Sequence, residues 1–423
     1  MTRQNDKKSI KTGKSSSEKQ KKKNESAEKK VPKKSPAKRS AWRVVLNVFL
    51  WLLSLAVIIG MCLACFGGNF DPQRYGFLAV FELTLPIWLI GLLVVTLLDV
   101  FWCRKAFVFC VLTFIACANA IWDYSPLNIR FTSNTKYASC PKFTLLTYNV
   151  MNFEQYDGIY PDDYNPTIQY IIKKNADIVC LQETGSGIEK PRAKSHITAE
   201  QLDTLYRMYP YRLLYGKYLT LLSKYPAESM HTPPIVYKSP SNKDLYPIGV
   251  FRVNIEGTPV TLFNVHLQSY SLTNEDKALY KNLAEGKEIA EVAEGNARSS
   301  LQTIKAHILR KVKTAYEKRG IEADALCRYI EKFGGLNVIV AGDFNDVPGC
   351  YTIRELEDYG LKQVYPRVGF GPMITYNADM FYFRIDHVLY RGEMEPLSLS
   401  RGNDKFSDHY PLTVTFALTN QTN

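Results

Sequence analysis

Apolar positions follow two patterns along this chain. Val44–Phe66 is apolar almost throughout, with Asn47 as its most polar side chain. A second run extends from Phe77 to Phe101, with Glu82 and Pro86 near its start. A third, Ala106–Trp122, is followed closely by Tyr124. About 20 apolar residues suffice to cross ~30 Å of hydrocarbon as a helix, and Trp and Tyr collect at the interface. Three such runs in tandem predict about three transmembrane helices within 41–125, at 44–66, 77–101 and 106–122. A cleaved signal peptide would have a shorter apolar core and no further runs behind it. Glu82 is a candidate functional residue at membrane depth, or more simply one at a helix end or between packed helices.

From Cys140 onward the apolar runs shorten. Phe143–Tyr148, Ile178–Leu181, Val260–Val265, Asn337–Ala341, Ile385–Tyr390 and Leu412–Phe416 read as strands between helical stretches and Pro/Gly-rich loops. The longest helical stretch is Glu275–Phe333, where Leu301, Ile304, Ile308 and Val312 make one core-facing stripe. No repeat at a solenoid period is present.

Charge divides the chain in the same way. The formal net charge is +12. Residues 1–40 hold 15 Lys/Arg against 4 Asp/Glu, residues 41–125 hold 4 of each, and 126–423 hold 34 against 33. The excess therefore sits in one tail, which excludes a uniformly basic nucleic-acid binder. That tail has little to bury and is expected to be disordered; it reads first as a solvated topogenic tail, the alternative being a polybasic arm on anionic lipid or nucleic acid. By the positive-inside rule the tail and Arg104–Lys105 lie in the cytoplasm, and three crossings carry 126–423 to the outside. If the third run only lay in the interface, that domain would be cytoplasmic. Five of the nine cysteines (Cys62, Cys65, Cys103, Cys110, Cys117) fall in or beside apolar runs, so neither a disulfide scaffold nor a zinc site is expected.

Polar residues accumulate where the strands end: Thr147-Tyr148-Asn149, Gln182-Glu183-Thr184, Asn264-Val265-His266, Gly342-Asp343-Phe344-Asn345, Arg384-Ile385-Asp386-His387 and Ser407-Asp408-His409-Tyr410-Pro411. Singly, each reads as a turn former or a satisfied structural residue. Together they supply the carboxylates, imidazoles and amides that hold a hard divalent cation and move protons around a phosphate. Such an oxygen-rich set suits Mg²⁺ or Mn²⁺ better than zinc.

In wording and order these groups resemble the endonuclease/exonuclease/phosphatase superfamily, over about Lys142 to Leu418. Gly-Asp-Phe-Asn at 342–345 and Ser-Asp-His-Tyr-Pro at 407–411 are the most specific pieces. The resemblance implies an α/β (α+β) fold, a four-layer two-sheet β-sandwich flanked by helices, preceded here by the transmembrane helices. It implies that Glu183 is the principal metal carboxylate, with Asn149 beside it and Asp408 completing the shell. It implies that Asp343 orients or deprotonates water, that Asn345 holds the phosphate and that His409 stabilises phosphoryl oxygens. His266 would protonate the leaving oxygen with Asp386 fixing its ring, and Lys224, within Leu222–Pro226, would approach phosphate. Two departures stand out. Met151 occupies a position that is acidic in many relatives, and His387 follows Asp386, where it is expected to be structural.

The implied activity is phosphoester hydrolysis by a membrane-anchored, metal-dependent phosphodiesterase, acting on nucleic acid or on a phospholipid or sphingolipid head group. The near-neutral 126–423 segment weakens a nucleic-acid face. No Trp-Cys-Asp-Arg signature of the inositol 5-phosphatases is present. The alternative is a catalytically silent binding domain of the same fold. No protein partner is evident.

Overall fold

The structure, a computed structural model, describes residues 41–129, 135–158, 164–185, 188, 193–216, 218–235, 247–270, 297–378 and 381–419. The basic tail and the Glu275–Asn296 part of the expected helical stretch lie outside the described residues. The chain divides into two units, Met1–Phe49 and Leu50–Asn423. Only 41–49 of the first is described, as helix.

Five helices come first: α1 (Ala41–Phe66), α2 (Pro72–Glu82), α3 (Leu85–Trp102), α4 (Arg104–Ala116) and α5 (Ala118–Tyr124). Two segments, Ala41–Asn69 and Leu85–Trp102, are long and apolar enough to cross a membrane. The α4–α5 pair, bent by 60°, makes a third if it is one span. The expected 77–101 helix is in fact two. Helix α2 stops at Glu82, Thr84 turns its hydroxyl back onto the Phe81 carbonyl, and Pro86 sits in the first turn of α3, where its missing N–H goes unused. The α2 segment instead packs along the long helix α8 (Ala297–Tyr329), with Pro72 against Gly320. Within the helix bundle, the buried Asp99 carboxylate accepts from Ser54 Oγ at 2.7 Å.

The rest is a sandwich of two six-stranded mixed sheets. The first contains β1 (Lys142–Asn149), β2 (Ile178–Gln182), β3 (Tyr211–Tyr215), β4 (Leu219–Ser223), β13 (Met394–Arg401) and β14 (Leu412–Leu418), in the order β13-β14-β1-β2-β4-β3. The second contains β5 (Ala227–Met230), β6 (Ile248–Ile255), β7 (Thr258–His266), β8 (Val338–Asp343), β9 (Lys362–Gln363) and β12 (Asp386–Arg391), in the order β5-β6-β7-β8-β12-β9. Among the described residues, only β1/β2 and β7/β8 pair in parallel. A small hairpin, β10 (Tyr376–Ala378) with β11 (Phe381–Phe383), stands apart.

Pleat parity explains the layers. Phe143 and Leu145, Ile178 and Cys180, Val260 and Leu262, Ile339 and Ala341, and Val388 and Tyr390 alternate inward and meet Val414 and Phe416 between the sheets. The outward set on the first sheet (Leu146, Tyr148, Val179, Leu181) is covered by α6 (Pro166–Lys174) and α7 (Ala199–Met208). That on the second (Phe263, Val265, Val338, Val340, Leu389) is covered by α8 and α9 (Tyr351–Asp358). The result is four layers, helix–sheet–sheet–helix. Each fully buried apolar side chain contributes on the order of 1.5–3 kcal/mol relative to exposure.

Candidate active site

The inward parity continues past the apolar core at one end of the sandwich, and there it reaches Asn149 on β1, Gln182 on β2, Asn264 and His266 on β7, Asp343 on β8 and Asp386 on β12. Register sets the spacing. Asp343 pairs directly with His266 on one side and with Asp386 on the other. Close approach of β7 to β8 is possible because position 342 is glycine, with φ +148°. A Cβ there would lie 2.0 Å from the Val265 carbonyl oxygen.

Below the site the two sheets are joined by amides. Gln182 Nε2 donates to Asn264 Oδ1 at 2.7 Å and to Thr147 Oγ1 at 3.1 Å, while Asn264 Nδ2 donates to the carbonyls of Leu181 and Thr220. Buried amides of this kind specify a single arrangement when fully paired, as Asn264 is here.

Asp343 is the hub. Its Oδ1 accepts from the Asn345 N–H at 2.8 Å, and its Oδ2 accepts from Asn149 Nδ2 at 3.0 Å and Asn345 Nδ2 at 3.3 Å. His409 Nε2 lies 3.5 Å and His266 Nε2 3.7 Å from the same oxygen. Asn149 Nδ2 also donates to Glu183 Oε1 at 3.1 Å, and His266 Nε2 stands 3.5 Å from that oxygen. Glu183 and Asn345 both adopt left-handed backbone, at φ 56° and 52°. Asn tolerates this conformation, whereas for Glu183 it is strained.

The expected partner of Asp386 is corrected by the structure. Asp386 Oδ2 lies 2.9 Å from His409 Nδ1, so it orients His409 and not His266. The reason is topological. The 402–411 loop brings His409 over the end of the second sheet, where Tyr376 bridges to it and meets its ring edge-on at 5.0 Å. His266 instead turns Nε2 toward Glu183 and Asp343, at 3.5 and 3.7 Å.

Lys224 does not come to this site. Strand β4 runs antiparallel to β2, so its last residue pairs with Ile178, at the end away from Glu183. Lys224 Nζ donates there to Asn175 O at 2.8 Å and Asp177 Oδ1 at 3.1 Å.

Asp408 is placed next to His409, with one carboxyl oxygen accepting from Ser407 Oγ at 3.1 Å; that hydroxyl also reaches the Asn149 carbonyl at 2.8 Å. His387 points to the outer side of β12. Its Nε2 lies 2.9 Å from the Asp346 carbonyl, and its ring meets Phe344 edge-on at 5.3 Å.

The electrostatics follow from burial. Burial pushes the Asp343 carboxyl up and Asp386 adds to the rise, while His409 and His266 oppose it. Asp408 is likewise raised by burial, against His409 and with Glu183 adding to the rise. Burial works against a charged His409, but Asp386 and Asp343 outweigh it and hold its pKa well above the ordinary value. His387, buried with Arg384 nearby, is pushed down to about 3.

Three contributors carried no sequence signal of their own. Thr375 Oγ1 accepts from the N–H groups of Ile385 and Asp386 and so sets the start of β12. Tyr376 backs the His409 ring. Asn152, the residue after Met151, has a buried Oδ1 with no hydrogen-bond partner among the described residues, and its N–H donates to the Glu183 carbonyl at 2.8 Å.

Comparison with known proteins bears on the same residues. A model described as the Endonuclease/Exonuclease/phosphatase family matches residues 146–409, and one described as a domain of unknown function (DUF8431) matches 47–124. No curated protein matches the chain. Among solved structures, the chain is similar to a humanized TDP2 from D. rerio (15% identity, TM-score 0.41, covering 65% of this chain and 98% of that one). It is also similar to an endonuclease/exonuclease/phosphatase from Beutenbergia cavernae (17%, 0.41, covering 66% and 72%). A third is the corresponding protein of Bacteroides vulgatus (14%, 0.40, covering 66% and 99%).

Proposed function

Because the chain belongs to the endonuclease/exonuclease/phosphatase family, we propose that it is a metal-dependent phosphodiesterase, anchored in a membrane by its apolar helices, that hydrolyses nucleic acid or a lipid head group. One observation carries this reading: His409 is fixed by Asp386 at 2.9 Å and points its other nitrogen at Asp343, 3.5 Å away, at the mouth of the sandwich.

Each side chain has a task that its position allows. A carboxylate only accepts, so His409 Nδ1 carries the hydrogen shared with Asp386, and the protonated ring presents Nε2–H to the phosphoryl oxygens. Asp343 orients or deprotonates the attacking water, helped by burial that makes it more basic than an exposed carboxylate. Asn345 holds the phosphate. Both of its side-chain hydrogens are engaged, by Leu267 O at 2.9 Å and by Asp343, so the Asp343 contact must open for substrate. His266, at the rim, protonates the leaving oxygen. Each proton transfer of this kind is worth ~10²–10⁴-fold.

Glu183 and Asp408 offer carboxylate oxygens, which suit Mg²⁺ or Mn²⁺. Asn149 turns Nδ2 to Glu183 and Asp343 while its Oδ1 accepts from the Met151 N–H, so its amide would have to turn to join them. Asn152, whose Oδ1 has no partner among the described residues, donates its N–H to the Glu183 carbonyl. When bound, such a cation neutralises charge developing on the phosphodiester and lowers the pKa of a coordinated water. Asp343, Asp386 and His409 also bring donor atoms within 4.8 Å of one another. Both His409 nitrogens face carboxylates, however, which suits proton handling and leaves ligation to the Glu183 side.

The test is turnover of a chromogenic bis-phosphodiester, plasmid DNA, sphingomyelin and phosphatidyl lipids by the full chain, with Mg²⁺ and with EDTA. Metal-dependent turnover is expected, and DNA against lipid decides the substrate. Folded, metal-loaded protein that turns over none of them would leave a binding domain. Protease added outside intact cells is expected to digest the chain after residue 126, and full protection until lysis would place that domain in the cytoplasm.

A further inference from the structure

Arg319 is the largest fully buried side chain among the described residues, and the chemistry above does not use it. It projects from α8 against the faces of Tyr270 and Tyr316, at 4.7 and 4.2 Å. Its Nε donates to Asp346 Oδ2 at 3.1 Å and its Nη1 to the Gln268 carbonyl at 2.9 Å. These acceptors lie three residues beyond Asp343 and two beyond His266. Glu322, one turn further along α8, accepts from the Gln268 N–H at 2.8 Å. The Asp346 carbonyl in turn meets His387 at 2.9 Å. One guanidinium therefore ties the loop leaving β7 to the loop leaving β8, and those strand ends carry His266, Asp343 and Asn345.

The apolar helices reach the same cluster. Glu82, the last residue of α2, is buried, and neither of its carboxyl oxygens has a hydrogen-bond partner among the described residues; nor does Arg319 Nη2. Burial pushes the Glu82 carboxyl well up, Asp346 adds to the rise, and Arg319 and Arg354 oppose it. The turn after α1 presses on the β8 loop directly. A Cβ at Gly68 would lie 2.0 Å from the Gly349 carbonyl oxygen, and one at Gly67 would lie 3.3 Å from Glu82 Oε1.

We propose that Arg319 is a positioning residue of the active site and that helix α2, which packs along α8 and ends in the buried Glu82, supports it, so that the N-terminal region holds the catalytic loops in place as well as anchoring the chain. Its kinetic consequence rests on the hydrolase reading; its structural consequence does not. A guanidinium with two acceptors in separate loops fixes their spacing, and a displacement of about 1 Å at reacting groups costs on the order of 10²-fold in rate.

The experiment uses the full chain in detergent. Arg319→Met alone strands the Asp346 carboxylate, so it is paired with Arg319→Met/Asp346→Asn, which removes both charges. Two quantities are read: kcat and KM on a chromogenic bis-phosphodiester with Mg²⁺, and amide hydrogen exchange in peptides covering 266–270 and 343–350. In the double variant kcat is expected to fall about 10²-fold with KM changed by less than about threefold. Exchange should rise in both loops together and stay unchanged in β13–β14. Glu82→Leu is expected to lower kcat several-fold in the wild-type background and to add nothing in the double variant, as groups acting through one another do. A folded double variant with unchanged exchange in both loops overturns the proposal, whatever its activity. Additive loss from Glu82→Leu overturns the part assigned to Glu82. If the wild type turns over nothing, the hydrolase reading fails by itself and exchange still decides this inference.

Discussion

The inner and outer sides of β12 present two histidines with opposite electrostatics. His409 lies against the inner side and His387 on the outer, and both are about 4% exposed. His409 stands between the carboxylates of Asp386 and Asp343 and is held charged. His387 meets a carbonyl, an aromatic ring and the nearby cation Arg384, and is held neutral, with its pKa at about 3. Burial disfavours the charged ring in both cases, so the neighbours decide the outcome. A buried histidine is thus not by itself a candidate catalyst; the carboxylates around it make it one.

Four measurements break or sharpen that contrast. The largest effect is expected from His409→Ala or Asp343→Ala, each lowering kcat by ~10²–10⁴-fold. His387→Gln should stay within about threefold in kcat while losing on the order of 1–3 kcal/mol of stability, because its buried carbonyl partner is left poorly paired. If the two histidines changed places in this ranking, the assignment of roles would be wrong.

Next comes pH. His409 binds its proton more tightly folded than unfolded, so its contribution to stability is full below the ordinary value of 6.5 and is lost as pH rises through its higher folded value. His387 behaves in the opposite sense. Its contribution is present above 6.5 and is lost as pH falls from there toward about 3. Denaturant unfolding across pH, with His387→Gln and His409→Ala as controls, should show each limb vanish with its own residue. The smallest effect is expected at the far end of the sandwich. Lys224→Ala should leave turnover within about twofold and cost no more than about 1 kcal/mol, as expected for a half-exposed ion pair.

The strand ends and their motifs were legible because inward parity is a period-two property of the chain itself. Phe143, Leu145 and Asn149, or Ile339, Ala341 and Asp343, lie in one phase, and the phase carries the core into the site. Pairings set by sheet order were not legible. Nothing local indicates that Asp386 meets His409 and not His266, because that depends on a loop crossing from the first sheet to the end of the second. Lys224 was misplaced for a related reason, since an antiparallel neighbour reverses which end of a strand faces the site. In the apolar runs, Asp99 went unread one residue from Val100–Phe101, although its buried bond to Ser54 joins two helices. Glu82 stands out within its apolar run, but the charges that act on it, Arg319 and Asp346, lie more than 200 residues away in sequence.

The central claim is that a protonated His409, steered by Asp386 toward Asp343, acts on a phosphodiester. The most direct measurement is the pH dependence of Mg²⁺-supported turnover of a chromogenic bis-phosphodiester by the wild type and by Asp386→Asn. Wild-type kcat should hold past the ordinary histidine range and decline only at higher pH, and Asp386→Asn should bring that decline to lower pH. An alkaline limb that stays in place when the Asp386 charge is removed, or turnover indifferent to both pH and metal, would contradict it.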